Sequence, residues 1–188
     1  MSVQMHDTRE GYGWVAITLH WLTAVLVIAL WLLGERMGFQ PTRELEHAAQ
    51  ALHVSYAIFA WPILVAFVIW RLTHKSPVLT GHWALTLLAR IVQGLLLLAI
   101  AIQLISGPLA AWSMHQPISA FGLFQIPPPI TFTHDQHELL EGIHETTANV
   151  ILVLVVLHVL GALKHLFIDR DGVFERMLGI NKGSAAGE

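Results

Sequence analysis

The chain has 188 residues, 55% of them hydrophobic and only 12% charged, with a mean hydropathy of +0.61, which is too apolar and charge-poor for an ordinary soluble domain. Cysteine is absent, so disulfides, thiolate metal sites, iron–sulfur clusters and covalent C-x-x-C-H haem attachment are excluded. The net charge of −3 says little about partners and nothing points to nucleic acid, but histidine occurs 12 times, so any metal or haem held here must be held by nitrogen.

Residues 1–13 are polar and mixed in charge (His6, Asp7, Arg9, Glu10). They lack the basic start of a signal peptide, and no A-x-A cleavage site follows, so the first apolar run is expected to be retained. That run, residues 14–33, has the ~20 residues needed to cross a hydrocarbon core, with His20 near its beginning. Residues 34–50 are a polar connection. The second span, 51–72, opens with His53, carries Pro62 at its middle and ends at Arg71. Pro62 should kink it, which is tolerated where neighbouring helices cover the freed carbonyl.

A short loop leads to the third span, 84–105, which contains no histidine and stops at Ser106-Gly107-Pro108. The longest connection, 107–141, holds Pro127-Pro128-Pro129 and His134, Asp135 and His137; a solvated loop is favoured over a surface metal site there. The fourth span, 142–167, carries His144 and His158, and 168–188 is a polar tail. The fold class is therefore an all-α membrane protein, a single domain over 1–188, built as a four-transmembrane-helix up-down bundle. Eight of the ten basic residues (Arg9, Arg71, Lys75, Arg90, Lys164, Arg170, Arg176, Lys182) lie on the side of the termini, against Arg36 and Arg43 opposite. The positive-inside rule then puts both termini in the cytoplasm.

An ionisable side chain inside a span is costly and marks a functional site by default. His144 and His158 are 14 residues apart, close to four helical turns and roughly 21 Å of rise, so they share a face at two depths. In an up-down bundle, depth alone pairs His20 with His158 in the inner half and His53 with His144 near the outer face. Two bis-histidine pairs are what two b-type haems require, one imidazole on each side of each iron. A lone histidine in a span is as often a packed, hydrogen-bonded residue, but four that pair by depth favour ligation. Gly94 and Gly161 are candidates for close approach of a ring, with plain helix packing as the alternative.

His165, a further seven residues on, is the competitor for His158, but it falls at the interface, where a haem propionate or solvent contact suits it better. Arg71 and Lys164 at the inner end are candidate propionate partners, with snorkelling as the alternative, and Arg36 or Arg43 could serve outside. Trp14, Trp31, Trp83 and Trp112 read as interface anchors. His6, His47, His74, His82 and His115 fall in loops or at interfaces and are assigned no role.

The segments TLHWL (18–22), ALHVS (51–55), FGLFQIP (121–127), HETTANV (144–150), LHVLGALKH (157–165) and DRDGVFERML (169–178) together resemble the bacterial cytochrome b561 family over nearly the whole chain. The resemblance implies a four-helix protein with two haem b groups, ligated by His20, His53, His144 and His158, that exchanges electrons with ubiquinone. In some members it also implies superoxide oxidation at the periplasmic side. The chain departs from the pattern near Gln93, where many members of the family carry a histidine.

Three readings follow. One is a superoxide:ubiquinone oxidoreductase. The second is a non-catalytic cytochrome b subunit relaying electrons between the quinone pool and a redox protein. The third is a histidine-lined metal transporter with no redox role. Catalytic residues are left unassigned. Charge weighs against superoxide, because the outer connections hold Arg36 and Arg43 against Glu35, Glu44, Glu46, Asp135, Glu138 and Glu141, the reverse of an anion-gathering funnel.

Overall fold

A computed structural model describes residues 7–8, 11–77 and 81–180. His6, Arg9, Glu10 and Lys182 lie outside these residues. Four long helices dominate: α1 (Trp14–Gly38), α2 (Arg43–Thr73), α3 (Trp83–Ser113) and α4 (His134–Lys164). Each is long and apolar enough to cross a membrane. The apolar side chains left on the surface, such as Val25, Ile69, Leu98, Ile105 and Val153, are those of a bundle whose solvent is lipid. A π-helical turn (His165–Asp169) and the short α5 (Val173–Arg176) close the chain.

The helices run past the expected spans at both ends. At 1.5 Å per residue, the 31-residue α2, α3 and α4 are roughly 46 Å long, well over a ~30 Å hydrocarbon core. Two of the expected loops are corrected as a result. Residues 34–50 shrink to a turn between α1 and α2, because Thr42 caps α2 by accepting from Leu45 N. His134, Asp135 and His137 sit on the first turn of α4 rather than in a solvated loop. There Thr133 and Gln136 form a capping box, each side chain bonding the other's backbone, which is a strong local start signal.

Nor does α3 stop at Ser106-Gly107-Pro108; it continues through Pro108 to Ser113. Proline removes the bond to the carbonyl four residues back, here Leu104. That carbonyl accepts instead from Trp61 Nε1 of α2 at 3.1 Å. In lipid an unpaired carbonyl has no water to turn to, so Trp61 makes the proline tolerable. Interhelical bonds in membranes are often weak, but this acceptor lacks the i+4 N–H donor of a regular helix. Trp61→Phe should cost about 1–2 kcal/mol and lower the thermal midpoint in detergent by a few degrees. An unchanged midpoint would mean that the carbonyl finds another donor.

Neighbours in sequence pack most closely, α1 along α2 and α3 along α4. The buried centre is a small apolar cluster of Ala99, Ile100 and Ile151 with Val27, Leu96, Phe67 and Val155 around it. At one end of the bundle, Trp21 Nε1 donates to Met177 O at 2.9 Å, tying the turn after α5 to the start of α1 on what is called here the terminal face. The opposite, hairpin face carries the α1–α2 turn and the α3–α4 connection. That connection folds into a two-stranded antiparallel hairpin, β1 (Ile118–Ser119) and β2 (Gln125–Ile126). Ser55 of α2 pins it, donating to Ser119 O and accepting from Phe121 N, both at 3.1 Å.

Candidate functional site

The four expected histidines meet in two pairs. His20 of α1 faces His158 of α4 with ring centroids 6.0 Å apart. His53 of α2 faces His144 of α4 at 6.3 Å. The first pair lies toward the terminal face and the second toward the hairpin face. Both pairs bridge helices whose backbones do not pack closely, since the close partner of α4 is α3 and that of α1 is α2. All four rings remain only half-buried.

The spacing within each pair suits a metal. An imidazole nitrogen binds a metal at about 2.0 Å and its ring centroid stands roughly 1 Å behind it, so a bis-imidazole site needs centroids about 6 Å apart. Neither pair has a carboxylate or thiolate among its facing groups, and neutral nitrogen donors are what haem iron takes from a protein without cysteine. One ring nitrogen is held only loosely by the protein. His53 Nδ1 is buried without a well-formed hydrogen bond, with the Leu30 backbone of α1 beside the ring. The residues present therefore fit a pair of bis-imidazole metal groups.

The surroundings of the pairs differ. His53 lies over Gly34 of α1, where an added Cβ would stand 3.7 Å from Cε1. His144 lies over Gly107 of α3, where a Cβ would come within 3.2 Å of Cε1, a distance few real contacts show. Gly34 and Gly107 thus lie against the histidine rings, while nothing stands within 4 Å of a Cβ built at Gly94 or Gly161. Between the levels, Ile151 stands seven residues from His144 and seven from His158 on α4, in the apolar cluster that includes Val27. An apolar layer thus separates the two pairs.

Polar contacts on α3 and α4 follow a shared register. Ser106 Oγ lies 3.2 Å from His144 Nδ1, and seven residues further out on each helix Ser113 Oγ lies 2.8 Å from His137 Nδ1. Ser113 donates to Ala110 O, so it accepts from His137. Sequence reasoning missed Ser106 and Ser113 because it took Ser106-Gly107-Pro108 as the end of the span. A polar residue one turn inside an apolar run was the available signal.

The basic candidates separate. Arg71 is half-buried and close enough for its charge to act on both His20 and His158. Among the described residues it has no acidic partner. Lys164 instead binds Asp169, with Nζ 2.5 Å from Oδ2. His165 turns to the same tail, with Nδ1 2.9 Å from Asp171 Oδ2, well away from the position of His158.

The family described as prokaryotic cytochrome b561 matches residues 11–179. The chain belongs to that family. Its chemistry is electron transfer, its cofactor is haem b, and its members are multi-pass bacterial membrane proteins. Among relatives, the Escherichia coli (strain K12) protein named cytochrome b561 homolog 2 is 35% identical over 179 residues, covering 92% of this chain and 94% of its own. The Yersinia pestis protein named probable superoxide oxidase CybB is 27% identical over 188 residues, covering 93% and 99%. Cytochrome b561 homolog 1 of Escherichia coli (strain K12) is 26% identical over 166 residues, covering 86% and 93%. As a cytochrome b561 chain, the protein has its histidine pairs where two helices of a haem-binding bundle face each other, and the metal-transporter reading loses its support.

Proposed function

We propose that this chain is a di-haem electron carrier of the inner membrane, with both termini cytoplasmic, that exchanges electrons with ubiquinone. The observation that carries the proposal is the pair of imidazole pairs, 6.0 and 6.3 Å between centroids, at two heights. A haem held between such imidazoles would supply a one-electron iron couple suited to relaying electrons. His20 and His158 would hold one group near the terminal face, and His53 and His144 the other near the hairpin face. Each pair joins two helices that otherwise pack apart. Gly34 and Gly107 give the outer rings room against α1 and α3.

The apolar layer of Ile151, Val27 and Ile100 keeps water from the space between the two levels, which lowers the local dielectric and preserves the charge state of each. Arg71, which has no acidic partner among the described residues, is the residue proposed to neutralise a propionate at the inner pair. Lys164 would have to release Asp169 to do the same, so it stands second. Eight of ten basic residues on the terminal side support the cytoplasmic orientation.

Superoxide oxidation is carried as a second reading, because one relative is named a probable superoxide oxidase. Purified protein should give two non-covalent b haems per chain in a pyridine haemochrome assay, both reduced rapidly by ubiquinol. One haem or none per chain, or two that ubiquinol leaves oxidised, would overturn the respective half of the proposal.

A further inference from the structure

We propose that Ser106 and Gln103 of α3 are positioning residues that fix the tautomer of His144. The inference rests on the reading of His144 as an axial ligand, and deepens it. Ser106 Oγ lies 3.2 Å from Gln103 Oε1, to which it donates, and 3.2 Å from His144 Nδ1. A hydroxyl has one proton. Given to Gln103, that proton leaves Oγ as an acceptor, so the proton between Ser106 and His144 belongs to the imidazole. Nδ1 is then the N–H nitrogen, and Nε2 is the only lone-pair nitrogen the ring can offer a metal.

Two features make this more than a satisfied serine. A helical serine usually returns its hydroxyl to a carbonyl three or four residues back, as Ser113 does to Ala110 O at 2.7 Å. Ser106 instead engages two side chains, with Gln103 one turn earlier on the same helix. The hydroxyl is also sheltered, Ser106 being 4% exposed, so water does not compete and the bond is strengthened by the low dielectric. Gly107 beside it lets the ring lie against α3 at all. His53 has no equivalent, its Nδ1 being buried without a well-formed bond. The two ligands of the outer pair are thus held unequally, His144 by a side-chain relay on α3 and His53 by packing against the α1 backbone at Leu30.

Outer-shell partners of metal-bound histidine typically change affinity by about 10–100-fold. Ser106→Ala, which removes only an oxygen, should therefore speed transfer of the outer haem to apomyoglobin by roughly 10–100-fold and shift its low-spin EPR signal and reduction potential. The inner haem, unaltered in the same sample, reports that the bundle is folded. Gln103→Leu should act in the same direction, because an unengaged Ser106 proton is free to turn toward Nδ1 and favour the wrong tautomer. Ser106→Thr, which keeps the hydroxyl, should restore the slow transfer. If Ser106→Ala leaves outer-haem transfer, EPR signal and potential as in the parent while His144→Ala removes that haem, the positioning role is wrong and the ligand reading stands. If His144→Ala retains both haems, the ligand reading itself is wrong.

Discussion

His144→Ala or His53→Ala removes one haem and leaves the other in place, and His20→Ala or His158→Ala removes the opposite one. The expected stoichiometry falls from two haems per chain to one in each case, with two distinct residual spectra that sort the four variants into two groups of two. The grouping follows from the facing rings, His20 with His158 and His53 with His144. Alanine leaves one imidazole and an unfilled axial position, and a pair that also joins two weakly packed helices has little else to hold the group. A residual spectrum shared by His20→Ala and His53→Ala would break the pairing. His165→Ala serves as the control. Its ring is engaged by Asp171 and Asp169, so both haems should remain; loss of one would move the inner ligand two turns along α4.

The second large effect concerns substrate. Mixed with a superoxide burst in a stopped-flow instrument, the protein should show slow haem reduction, while ubiquinol reduces it rapidly. Small anions reach a site fast when a positive funnel raises the on-rate by roughly 10–10³-fold. The hairpin face offers the reverse, with Arg36 and Arg43 against six acidic residues. The structure adds that two of the histidines that could offset this charge are already turned to carboxylates. His134 lies 3.1 Å from Glu138 and His137 lies 3.7 Å from Glu141. Reduction near the diffusion limit that slows with added salt would show a local basic pocket outweighing the net charge, and would favour the superoxide-oxidase reading. Failure to react with superoxide, beside fast reaction with quinol, fits a relay subunit.

Much of this protein follows from its sequence alone. Four apolar runs of sufficient length leave a chain in lipid no option but helices, and a helix has a fixed rise per residue. Depth in the membrane is therefore a linear function of residue number. That is why the levels of His20, His53, His144 and His158, and their grouping two by two, could be read without coordinates. The charge asymmetry is legible for the same reason.

What depth does not carry is azimuth, the direction in which each side chain leaves its helix and what it meets there. Only the packed bundle brings Ser106 and Gly107 of α3 against His144, and Gly34 of α1 against His53, because those contacts depend on how neighbouring helices rotate about their axes. The continuation of α3 past Pro108 was likewise a tertiary decision. Local rules end a helix there, and it persists because Trp61 of another helix takes up the Leu104 carbonyl. At the terminal face, Lys164 and His165 are long or polar groups with many reachable partners. Their choice of Asp169 and Asp171 depends on a π-helical turn that folds the tail back, and spacing along the chain holds no record of that.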